Sequence, residues 1–179
     1  MTTAPSGLDR VCGRADSGVV TNHDPTPDDL PPIPTQAEVQ QDPRVLSAFN
    51  DRIVAAFRAN RGVVGGPFRA SNVTLVSITG ARSGITRVTP LEYFTVDDRI
   101  ILLGTYGGAP RNPAWVHNLR AHPDVLVEIG EQSFRAVAHE LPDDEAKAVF
   151  ARIAAGVPRV AGYPKPARRI PVFELRPIS

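Results

Sequence analysis

One cysteine, Cys12, stands alone in a chain of 179 residues. No disulfide can form within it, so a reducing cytoplasm is the compartment it fits. No apolar run approaches the ~18 residues that a membrane span needs. The first residues hold no apolar signal core, so secretion is not expected. Aromatic residues make up only 6% of the chain. That is too few to interleave with basic side chains as a nucleic-acid surface requires, and no nucleic-acid partner is expected. Histidine is also scarce. His117 and His122 are five apart, about 140° around a helix, and do not chelate as an i,i+4 pair does. His23 and His139 have no ligand-spaced partner, so no metal site is expected. There is no G-x-S-x-G, so no serine nucleophile is indicated. No strand runs into G-x-G-x-x-G, which argues against a Rossmann fold. Adjacent carboxylates such as Asp97-Asp98 and Asp143-Asp144 fall at a turn and a helix start, where they serve structure.

What is present fits a globular protein of one domain: 42% hydrophobic and 22% charged residues. The net charge of +1 hides a split. Residues 1–42 carry seven acidic residues against two basic ones, whereas 43–179 hold 18 basic and 12 acidic. Residues 1–42 also hold six prolines and few large apolar groups. Such a segment buries too little surface to offset its ordering entropy, and it reads as a mobile or surface-draped arm. The folded part, 43–179, is basic and suits an anionic ligand. Only Lys147 and Lys165 among its cations are lysines, the mark of a GC-rich genome.

Asp42-Pro43 opens a helix whose stripe is Val45, Phe49, Ile53, Ala56 and Phe57. Asn60-Arg61-Gly62 closes it. Residues 73–79, 85–95 and 99–104 read as three strands joined by tight turns at 80–84 and 97–98. Pro90 interrupts the second, which implies an edge or a bulge. A short helix follows Pro113. Residues 124–130 and 132–140 form a hairpin. Pro142 starts a helix with Ala146, Val149, Phe150 and Ile153 buried and Gly156 as its cap. A last strand covers 170–175. The order α-βββ-α-ββ-α-β is a meander, not βαβ units. About six strands with few helices predict a small antiparallel barrel with flanking helices.

Leu103–Pro123 concentrates the functional signal. Gly104-Thr105-Tyr106-Gly107-Gly108 permits close approach of a ligand to the backbone. Asn112-Pro113 reads as a helix cap and first residue, with Arg111 beside it, a reasonable place for an anionic oxygen. By spacing alone the stretch reads equally well as an ordinary strand-to-helix connection with a core Trp115.

Three motifs in order resemble the deazaflavin-dependent nitroreductase family, actinobacterial split-barrel proteins that use coenzyme F420. They are T-G-A-R-S-G-x-x-R-V-T-P-L from Thr79, Y-G-G-A-P-R-N-P-A-W-x-x-N-L-R-A-H-P from Tyr106, and R-R-I-P-V-F-E-L from Arg168. The resemblance covers roughly residues 43–179. It implies a split β-barrel holding F420, with FMN as the alternative cofactor, and hydride transfer to a small-molecule acceptor such as a quinone or nitroaromatic. By motif, Arg82 and Ser83 would meet the anionic tail, and Thr89, Pro90 and Leu91 would line the ring. Thr105, Tyr106, Gly107 and Gly108 would hold phosphate or ring oxygens. Arg111, Asn112, Trp115 and Asn118 would complete the wall, and Tyr163 would shape the acceptor side as a proton donor. The family often has Ser-Lys-Gly-Gly where this chain has Thr105–Gly108, and Asn where it has Thr89. The lost lysine keeps a second reading open, a non-catalytic barrel holding a fatty acid, flavin or other apolar ligand. A homodimer and a peripheral contact at the inner face of the cell membrane are both compatible with the resemblance.

Overall fold

The computed structural model describes residues 30–162 and 168–178. Six antiparallel strands close into a barrel in the order β1-β2-β3-β6-β5-β4. They are β1 (Asn72–Thr79), β2 (Thr86–Val96), β3 (Arg99–Leu103), β4 (Asp124–Ile129), β5 (Gln132–Glu140) and β6 (Val172–Pro177). The meander, the hairpin and the last strand are thus the expected ones. Five helices flank them: α1 (Gln36–Gln41), α2 (Arg44–Ala59), α3 (Ala114–Ala121), α4 (Asp143–Gly156) and α5 (Pro158–Ala161). Among the described residues no helix is long and apolar enough to cross a membrane.

Alternation along the strands sorts their side chains into two sets. One fills the barrel: Val76 and Ile78 of β1, Leu102 of β3, Val125 and Val127 of β4, Ala136 and Ala138 of β5, Phe173 and Leu175 of β6. Val116 and Leu119 of α3 join this interior cluster. The outward set packs under helices. Phe94, Val96 and Ile101 meet Ala146, Val149 and Ile153 of α4. Val73 and Leu75 meet Phe49, Ile53 and Phe57 of α2. β1 is therefore covered on both faces, and most of its residues are buried, the polar Asn72 and Thr74 included.

The turns follow their residues. Asp97 and Asp98 take φ of 51° and 60°, the positive pair of a tight hairpin. Gly62, past the end of α2, lies against Gly130 of the β4–β5 turn. A Cβ on Gly62 would stand 2.4 Å from the Gly130 Cα. Pro90 lies in an uninterrupted β1–β2 register, opposite Leu75. β2 meets β3 only from Tyr93 onward. Pro90 thus sits on the open edge of β2, and no bulge is needed.

Several local expectations shift. α1 falls within the segment read as an arm. Its capping box is present, with Thr35 N–H donating to Glu38 Oε2 at 2.7 Å and Glu38 N–H to Thr35 Oγ1 at 3.3 Å. Proline-rich composition masked that signal. α5 lies in what reads as a loop. α4 runs through Gly156 and caps at Val157. Asn112 does not cap α3: Pro113 occupies the cap position without a side-chain bond, and the buried Asn112 Oδ1 has no protein partner. The extended ψ of 153° at Pro113 starts the helix one residue later than the motif suggests.

Candidate cofactor and acceptor site

A cavity of about 310 Å³ opens where β2 is free of β3, within the size range of small-molecule sites. Pro90, Leu91, Glu92 and Phe94 of β2 form one wall. Leu103, Thr105, Tyr106 and Gly107 form a second, at the end of β3 and in the bend after it. Pro113 and Trp115 close it from the start of α3. Ile33, Pro34, Gln36 and Val39, with Leu46 of α2, cover the remaining side. This last wall was not legible in the sequence, where 1–42 had no assigned role.

Each wall has a local cause. Gly104 ends β3 with its N–H on Pro171 O at 2.8 Å, and a Cβ there would lie 3.1 Å from both Pro171 and Val116. The chain then turns through φ of 48° at Tyr106, 58° at Gly107 and 80° at Gly108. Trp115 is fixed edge-on to Phe173, ring centres 5.8 Å apart. Gln36 Nε2 donates to Tyr106 O at 2.9 Å and ties the N-terminal segment to the bend.

Most of the lining is apolar, and its carboxylate is compensated. Arg159 Nη1 donates to Glu92 Oε2 at 2.9 Å, and the same guanidinium lies 5.8 Å from the Phe94 ring centre. Among the described residues no cluster of three or more His, Cys, Asp or Glu could hold a metal.

Of the residues singled out by motif, Pro90, Leu91, Thr105, Tyr106, Gly107 and Trp115 meet at this cavity. Thr89, Gly108, Arg82, Ser83, Arg111, Asn112 and Asn118 are outside its lining. Asn118 links part of that second group to it, since its Oδ1 accepts the Ala81 N–H at 3.0 Å. This stitches the 80–84 bend to α3. Trp115 and Asn118 are three residues apart along α3, roughly 4.5 Å of rise. Arg82 follows Ala81 in that bend and is exposed. Ser83 Oγ accepts the Ile85 N–H at 3.3 Å and shapes that bend. Arg111 is exposed. Tyr163 lies outside the described residues.

Arg168 is the residue the sequence reading passed over, although it begins the third motif. Its Nη2 donates to Gly104 O at 2.9 Å and to Thr105 O at 3.0 Å. Its Nε donates to Ala109 O at 2.9 Å. Burial lowers its pKa from the usual guanidinium range, yet arginine stays charged at any physiological pH.

The family description F420H(2)-dependent quinone reductase matches residues 50–177. An F420H(2)-dependent quinone reductase of Mycobacterium tuberculosis is 34% identical over 85 residues, 47% of this chain and 57% of that protein. This chain thus spans little more than half the length of the curated relatives it matches. A solved F420-H2 dependent reductase, FDR-A, superposes with a TM-score of 0.51 at 31% identity, covering 58% of this chain and 93% of the other. A second solved relative, described as a domain-swapped dimer, has a TM-score of 0.53 at 28% identity and covers 70% of this chain and 96% of its own.

Proposed function

The chain belongs to the F420H(2)-dependent quinone reductase family, and on that premise we propose that it reduces a quinone with a hydride from reduced F420. One observation carries this reading. Pro90 and Leu91, the bend at Thr105–Gly107, and Trp115 converge on one largely apolar cavity from three separate stretches of chain. A flat, polyanionic cofactor suits such a place: an apolar wall for its ring, backbone N–H groups for its oxygens, and a cationic bend beyond.

When bound, reduced F420 supplies a hydride, and a quinone that takes it up with one proton becomes a hydroquinone. The protein's part is to bind, orient and exclude water. Pro90 and Leu91 face the ring, with Thr89 extending that wall along β2. Thr105, Tyr106 and Gly107 offer the N–H groups, whereas the Gly108 N–H is already given to Thr105 O at 3.0 Å. Arg82 and Ser83 hold the anionic tail, with Asn118 fixing their bend to α3. Trp115 bounds the pocket where α3 begins, and Asn112 and Arg111, outside the cavity lining, would meet the parts of the cofactor that extend beyond it. The orphaned Asn112 Oδ1 supports a ligand or water donor there. Ile33, Pro34 and Val39 present an apolar cover to the acceptor, which suits a neutral quinone. Tyr163 is the proposed proton donor. We place the reaction in the cytoplasm, where a lone thiol such as Cys12 stays reduced. The solved domain-swapped relative supports a homodimer for this chain, readable by light scattering.

The test is a titration of F420 followed by fluorescence quenching, then oxidation of the reduced cofactor with menadione. Saturable binding and menadione-dependent turnover are expected. No binding, or a fatty acid or flavin carried through native purification with no F420 affinity, would overturn the reading.

A further inference from the structure

We propose that Arg168 is a positioning residue that aims the Thr105 and Tyr106 N–H groups into the cavity as donors for an electron-rich oxygen of the cofactor. The identity of that cofactor rests on the function proposed above.

In a planar trans peptide the C=O and N–H point in opposite directions. The carbonyls of Gly104 and Thr105 are both held by Arg168 Nη2, at 2.9 and 3.0 Å. Their peptide partners, the N–H groups of Thr105 and Tyr106, must therefore point away from the guanidinium. Neither N–H has a hydrogen-bond acceptor among the described residues. Thr105 and Tyr106 both line the cavity, and Arg168 does not. The third carbonyl, of Ala109, precedes Pro110, which has no N–H. That bond anchors the far end of the bend without adding a donor.

Arg168 has no carboxylate partner among the described residues, so its charge is spent on carbonyl dipoles alone. A guanidinium behind two aligned peptides polarises both N–H groups. Its planar fork reaches Ala109 O through Nε and Gly104 O and Thr105 O through Nη2, while Nη1 donates to Arg169 O at 3.1 Å. An ammonium, with its donors on a single atom, does not bridge the two ends in that way.

Arg169 supplies an internal control. It pins the same backbone segment from the other side, with Nη1 2.6 Å from Asp143 Oδ1 and Nη2 donating to Leu141 O at 2.8 Å. It makes no contact with the bend. Losing either arginine should loosen the start of β6, but only Arg168 should alter the donors.

The experiment compares wild type with R168Q, R168K and R169Q, using thermal unfolding, amide NMR of the ligand-free protein and F420 titration. R168Q should weaken F420 binding about tenfold, the weight of one well-made hydrogen bond. R168K should fall between R168Q and wild type, and R169Q should stay within about twofold of wild type at a similar loss of thermal midpoint. In the ligand-free R168Q protein the Thr105 and Tyr106 amide signals should move, and in R169Q they should not. Should R168Q fail to fold, R168K carries the same comparison. Equal losses of binding in R168Q and R169Q, or unmoved amides in folded R168Q or R168K, would overturn the proposal. A wild type that fails to bind F420 overturns the function proposed above, while the amide comparison still decides the role of Arg168.

Discussion

Tyr106 adopts φ of +48°, a left-handed conformation that costs a non-glycine residue roughly 1–2 kcal/mol. Its carbonyl is held by Gln36 and the carbonyl before it by Arg168, so neighbouring contacts enforce the strain. Gly107 shares that geometry at φ of +58°, and the nearest atom to an added Cβ is Gln36 Nε2, 3.7 Å away. Gly107→Ala therefore introduces backbone strain without a clash. We expect it to lower unfolding free energy by about 1–2 kcal/mol in urea titrations. No loss would mean that the bend is already loose. Arg82 is exposed and tests the opposite extreme. Arg82→Ala should weaken F420 binding about tenfold through lost charge-assisted bonds, and an unchanged Kd would make it a surface residue. For Tyr163, replacement by Phe should lower turnover more than affinity if its hydroxyl donates the proton, and equal effects would deny it that role.

At the scale of elements, α2 and the β4–β5 hairpin meet at one backbone contact. Gly62→Ala would force a Cβ to 2.4 Å from the Gly130 Cα at a φ of +91°. One of the two elements must move, so a loss of at least about 1–3 kcal/mol is expected from thermal or urea unfolding. Charged pairs join other elements at their rims. Arg120 of α3 holds Glu140 of β5 through two bonds of 2.7 Å, and Arg99 of β3 holds Glu174 of β6 at 3.0 Å. These bonds lower both glutamate pKa values below the ordinary 4.5. The unfolded chain therefore binds protons that the folded one refuses. Their stabilisation is complete above about pH 4.5 and is lost as pH falls through the folded values. Urea midpoints measured from pH 6 down to pH 3 should decline, and Arg120→Met should flatten part of that decline. A midpoint independent of pH in this window would show the pairs to be energetically silent.

For the whole molecule, a ligand that binds only the folded barrel raises its stability by about 2.7 kcal/mol at a hundredfold excess over Kd. F420 should thus raise the thermal midpoint by several degrees, read by differential scanning fluorimetry. The fold was legible because its signals are local. The β-branched content of β1, the i,i+4 stripe of Phe49, Ile53 and Phe57, and the Asp97-Asp98 turn are each written within a few residues. They yield six strands and their order, and the glycine bend and Pro90 mark where a ligand can approach. The barrel's closure is another matter, since β1 pairs with β4 and β3 with β6 only after distant segments meet. The same holds for the site's hidden parts. Gln36 reaches Tyr106 across 70 residues, and Arg168 reaches Ala109, Thr105 and Gly104 across 59 to 64. Sequence by itself determined the strands, the helices α2, α3 and α4, the basic folded part and the family motifs. Only tertiary structure decided which backbone groups face the cavity and what covers it. Those depend on contacts between positions far apart in the chain, which no local period or turn residue encodes.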